Sequence, residues 1–297
     1  MFRGVFTALI TPFRNGEVDV EALENLVELQ IRNGVSGLVP CGTTGETPTL
    51  SEEEDRLVIS TVVRAADGRV PVIAGTGSNS TASAVKYTKM AEEVGADASL
   101  QVAPYYNKPT QEGLYRHFAA VAESTELSII LYNIPGRTGV AISPETMARL
   151  AEIPNVAGVK DSTLSMSVVS DIRRLCGEEF VILSGDDPMT LPVISLGGAG
   201  VISVVSNIAP GAVSEMVDAA LSGDFARARE LHYELLPLFR ALFIETNPIP
   251  VKTAASLLGL CSDEMRLPLM PMTGDNLQKL REVLERSADL LPTPEEV

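Results

Sequence analysis

Short apolar runs recur along the chain, each closed by a cluster of Gly, Thr, Pro, Asn or Ser. Eight stand out: Val5–Phe13, Gly37–Glu46, Val70–Ser78, Ala98–Asn107, Leu127–Pro135, Val156–Thr163, Phe180–Asp187 and Gly200–Asn207. They are nearly continuous in Val, Ile and Leu without period-two alternation, which predicts strands buried on both faces. Between them lie helical patterns at Asp19–Asn33, Ser51–Ala66, Thr81–Val94, Gln111–Ser124, Pro144–Ala151, Ser165–Leu175 and Pro210–Leu221. The second opens with Ser51 and three glutamates, a capping-box signature. Pro144 and Pro188 fall where a first helical turn tolerates proline.

Strands alternating with helices in eight regular units predict an α/β chain folded as a (β/α)8 TIM barrel, with an open doubly wound sheet as the alternative. Beyond Gly223 the strand signal stops. Helical patterns at Phe225–Ile244, Val251–Leu258 and Asp275–Leu290, with the Asn247–Pro250 segment between the first two, predict a helical C-terminal extension. The expected division is a barrel over residues 1–223 and an extension over 224–297. No linker separates them.

The chain has 297 residues, 45% of them hydrophobic, and a formal charge of 23 − 39 = −16. This is globular composition, and the acidic balance argues against nucleic-acid or anionic-membrane partners. Three widely spaced cysteines, Cys41, Cys176 and Cys261, make no disulfide framework and favour a reduced compartment. The apolar N-terminal run is too short and interrupted for a signal peptide. The uncharged Leu191–Ser214 stretch is broken by glycines and reads as helix end, turn and strand rather than a membrane span. A cytoplasmic location is expected.

The active site of such a barrel lies at the carboxyl ends of its strands. Of six lysines, only Lys160 ends a buried apolar run. An amine in such a place is pushed toward its neutral, nucleophilic form, as Schiff-base chemistry requires. The plain alternative is an ion pair with Asp161. Tyr132 ends the preceding strand, where a phenol can donate and accept a proton, or simply pack in the core. Thr43 and Thr44 lie in a glycine-flanked turn that suits a carboxylate or a tyrosine hydroxyl. Arg137, after strand five, suits bidentate carboxylate recognition or is an ordinary surface arginine. The Gly75–Ser80 segment lacks the third glycine of a dinucleotide loop. His117 and His232 sit in helical patterns without metal-binding spacing, so no catalytic metal is expected, even with Asp186 and Asp187 adjacent. Cys41 reads as a small buried residue, since no histidine is placed to activate it.

Taken in order, GVFTALITPF, GTTGE, VIAGTGSN, PYYNKPTQEGLYRHF, ILYNIPGRTG, GVKDST, LSGDD, GVISV and NPIPVK resemble the dihydrodipicolinate synthase (4-hydroxy-tetrahydrodipicolinate synthase) family of pyruvate-dependent class I aldolases and lyases, over nearly the whole chain. The resemblance implies that Lys160 forms a Schiff base with pyruvate, that Tyr132 relays protons, and that Thr43 hydrogen-bonds to it. It implies that Tyr106 reaches across a dimer interface, that Arg137 binds L-aspartate 4-semialdehyde, and that Thr44, Gly185 and Ile202 line the pyruvate site. It implies no cofactor, because the lysine is the electron sink, and a homodimer or homotetramer. The lysine-inhibited members carry histidines or glutamates where this chain has Glu52, Asp55 and Ser83, although Asn79 and Tyr105 match. Weak or absent inhibition by L-lysine is therefore expected. Alternatives are another aldolase on the same scaffold, acting on N-acetylneuraminate, a 2-keto-3-deoxy sugar acid or hydroxy-oxoglutarate, and a non-catalytic barrel that only binds.

Overall fold

The computed structural model describes residues 2–293. Eight parallel strands form the barrel: β1 (Gly4–Ala8), β2 (Gly37–Val39), β3 (Ile73–Gly75), β4 (Ala98–Val102), β5 (Ser128–Asn133), β6 (Val156–Asp161), β7 (Val181–Ser184) and β8 (Gly200–Ser203). The ladder runs β2-β1-β8-β7-β6-β5-β4-β3, and a parallel bridge between Leu38 and Val72 closes it. The strands are shorter than their apolar runs. Leu9, Ile10 and Phe13, for example, are fully buried but lie past the end of β1. Phe13 belongs instead to a two-residue antiparallel ribbon with Val18, turned at Asn15 and Gly16, both at positive φ. An Asn-Gly pair suits that turn.

Both strand faces are buried, but against different neighbours, which is why no alternation shows in the sequence. On β5, Ile130 and Tyr132 point inward to join Phe6, Val39, Leu100, Leu183 and Ile202. Ile129 and Leu131 point outward against the helical ring. The surrounding helices are α1 (Val20–Arg32), α2 (Glu52–Ala66), α3 (Thr81–Glu93), α4 (Gln111–Ala122), α5 (Pro144–Leu150), α6 (Met166–Cys176), α7 (Thr190–Ser195) and α8 (Pro210–Leu221). The Ser51–Glu54 capping box is formed on both sides.

Helices α9 (Phe225–Ala241), α10 (Ile249–Leu257) and α11 (Gly274–Arg286) follow. Leu235, Phe239, Val251, Ala254 and Leu280 share one core cluster with Leu23, Leu38, Val62 and Val201 of the barrel. The extension therefore returns onto the barrel, and the segment before α10 brings Phe243 and Asn247 to its mouth. No helix among the described residues is long and apolar enough to cross a membrane.

Candidate active site

The carboxyl ends of the strands surround a cavity of about 220 Å³ lined by Thr43, Thr44, Tyr132, Arg137, Lys160 and Gly185, together with Ser162, Asp186, Phe243 and Asn247. Strand register assembles its centre. Tyr132 and Lys160 are Cα partners between β5 and β6, so equal parity turns both side chains into the barrel. Lys160 Nζ lies 4.2 Å from the centroid of the Tyr132 ring.

Lys160 is 6% exposed, and among the described residues no carboxylate forms an ion pair with it. Asp161 points the other way. Its carboxylate accepts from Asn133 Nδ2 at 3.1 Å and Thr163 Oγ1 at 2.6 Å, which removes the ion-pair alternative. The nearby Asp187 carboxylate is also engaged. It accepts from Ser203 Oγ and from the N–H groups of Val204 and Val205. Burial pushes the Asp187 carboxyl up, against the pull of those donors and of the Lys160 charge. Asp186, on the cavity wall, is pushed up to about 6, first by burial and then by Asp187. Among the described residues no three His, Cys, Asp or Glu side chains gather at metal-binding spacing.

Gly185 leaves space beside the lysine stem. A Cβ there would stand 2.0 Å from Ser162 Oγ and 3.0 Å from Lys160 Cε. Thr44 is buried and accepts a hydrogen bond from Asn247 Nδ2 at 3.0 Å. Arg137, solvent-exposed at the rim, donates to the Asn247 carbonyl at 3.0 Å. Asn247 thus ties Arg137 to the GTTGE turn.

The remaining expectations concern Thr43, Ile202 and Tyr106. Thr43 lines the cavity with Tyr132, but no hydrogen bond joins their side chains among the described residues. Ile202 is 1% exposed and packs in the barrel interior, below the cavity lining. Tyr106 is 90% exposed at φ +73° and lies outside the cavity of its own chain. Sequence reasoning missed Ser162, whose buried Oγ has no hydrogen-bond partner, and Asn247, which only the NPIP motif could have flagged. Cys41 is buried, as expected, and burial raises its thiol well above the ordinary range.

Fold and site together define a (β/α)8-barrel enzyme whose central group is a buried amine. The chain belongs to the dihydrodipicolinate synthetase family, which it matches over residues 1–287. A 4-hydroxy-tetrahydrodipicolinate synthase of Aquifex aeolicus is 56% identical over 287 residues, covering 96% of this chain and 98% of the relative. One from Syntrophus aciditrophicus is 55% identical over 285 residues, with coverage of 96% and 98%. A crystal structure of dihydrodipicolinate synthase from Aquifex aeolicus superimposes with a TM-score of 0.96 at 55% identity, covering 98% of this chain and 100% of that one.

Proposed function

We propose that the protein is a lyase that condenses pyruvate with L-aspartate 4-semialdehyde to give 4-hydroxy-tetrahydrodipicolinate, in lysine and diaminopimelate biosynthesis. The full-length likeness to synthases of that activity supports the substrates. The observation that carries the chemistry is the buried, unpaired Lys160 amine beside the Tyr132 phenol.

Lys160 attacks the pyruvate ketone, and loss of water gives the imine. The space left by the missing Gly185 side chain admits the small keto acid beside the lysine stem. Thr44 and the turn around it hold the carboxylate. Tyr132 takes a proton from the methyl carbon as the imine becomes an enamine, with Thr43 next in the relay. The enamine carbon attacks the aldehyde, whose carboxylate is met by Arg137. The amine of the second substrate then closes on the imine carbon, forms the ring and frees Lys160. Tyr106 completes the relay from a second copy of the chain, which accounts for its exposure at a strained backbone angle. We take the assembly to be a homodimer or homotetramer in the cytoplasm, consistent with three free cysteines.

The test is a coupled assay comparing aspartate semialdehyde with sugar-acid substrates, run beside borohydride trapping with pyruvate. Faster turnover of a sugar acid would favour the other aldolases. Absence of both a trapped adduct and any condensation would remove the enzyme reading.

A further inference from the structure

The turn that carries Thr43 is held at several points, though none of them is the Thr43 side chain. Thr11 Oγ1 donates to the Gly45 carbonyl at 2.7 Å. Asn247 Nδ2 donates to Thr44 Oγ1. Glu46, in the left-handed region at φ +57°, closes the turn with its N–H on the Thr43 carbonyl at 3.2 Å.

The Glu46 carboxylate is 1% exposed and meets Lys252 Nζ, itself fully buried, at 2.6 Å. Its other oxygen accepts the backbone N–H of Arg266 at 3.2 Å. The Phe13 ring lies 4.0 Å beneath Lys252 Nζ and 4.4 Å from the Arg266 guanidinium. Arg266 also donates to the Thr49 carbonyl at 2.9 Å. Both groups that hold the Glu46 carboxylate, Lys252 and Arg266, come from the C-terminal extension.

A fully desolvated ion pair is a poor source of stability, because its desolvation cost rivals the attraction, and matched apolar side chains often serve as well. What such a pair does supply is direction. A carboxylate fixed at both oxygens holds a backbone in a conformation that a non-glycine residue rarely adopts. We infer that Glu46 and Lys252 are positioning residues. They form a latch by which the C-terminal extension sets the Thr43–Thr44 turn against the cavity, so that this ion pair acts on the reaction while touching no reacting atom. The inference rests on the lyase reading above, in which Thr43 relays protons and Thr44 holds pyruvate.

E46Q/K252M removes both charges and nearly keeps the volume. The expected result is a folded protein with parental circular dichroism, kcat about 10- to 100-fold lower and a raised pyruvate KM, since small misplacement of reacting groups costs that much. The borohydride adduct on Lys160 should still form. A folded double variant with parental kcat and KM would overturn the latch. Should the double variant not fold, E46D keeps both charges but withdraws the carboxylate by one carbon–carbon bond. It should show the same loss of kcat, and parental kinetics in E46D would equally overturn the proposal. A wild-type chain without adduct or condensation would instead count against the lyase reading.

Discussion

Tyr132 and Lys160 face each other as Cα partners on neighbouring parallel strands, with the lysine nitrogen 4.2 Å from the ring centroid. A phenol so placed is within a short movement of any imine formed on that nitrogen. Tyr132→Phe keeps the ring and deletes the proton carrier. It is expected to lower kcat by about 10²- to 10⁴-fold, while pyruvate still forms a trappable adduct. Unchanged kcat in steady-state assays would place the proton relay elsewhere.

Arg137 is held at the rim through the Asn247 carbonyl. Arg137→Ala should raise KM for aspartate semialdehyde by about 10- to 100-fold, the value of a hydrogen-bonded charge pair, and leave pyruvate KM near parental. Equal losses for both substrates would show that Arg137 serves the fold of the mouth rather than the second substrate.

Gly185→Ala puts a methyl group 3.0 Å from Lys160 Cε and closer still to Ser162 Oγ. Adduct formation with pyruvate should slow by about tenfold or more, with little change in melting temperature, because Ser162 Oγ can rotate away. A parental rate of trapping would mean that the cavity has more room there than the geometry gives.

Asp55 on α2 is pushed up to about 6, first by burial. A carboxyl with a raised folded-state pKa holds its proton more tightly in the fold than in the unfolded chain, so protonation stabilises the fold. That contribution is full below the unfolded value of about 3.9 and is lost as pH rises to about 6. The melting temperature of the parent should therefore fall relative to Asp55→Asn between pH about 4 and about 6, then run parallel above. A constant difference across that range would contradict it.

L-lysine should inhibit weakly or not at all. A second cavity, of about 400 Å³, adjoins the site and is lined by residues that include Asp55, Ser83 and Tyr105 but no histidine or glutamate. Initial-rate assays showing inhibition at low-millimolar or sub-millimolar lysine would refute this.

The barrel was legible because each strand is a dense apolar run and six of the eight ring helices open on a capping side chain. Strand ends were less so, since Leu9 and Ile10 stay buried after the ladder stops and hydropathy does not distinguish the two. Lys160 and Tyr132 were legible because parity along two strands aims them together. Lys252 was not. It sits in an ordinary amphipathic pattern, yet its exposure is 0% against 6% for Lys160, and burial of that kind depends on Glu46, 206 positions away. Asn247 was missed for the same reason, its partners Thr44 and Arg137 being brought to it only by the return of the extension.

The central claim is that the Lys160 amine is the nucleophile. Wild-type protein treated with pyruvate and borohydride, then digested and analysed by mass spectrometry, should carry one reduced adduct on the peptide containing Lys160, and Lys160→Ala should carry none. An adduct on another lysine, or none on the wild type while condensation proceeds, would contradict the account.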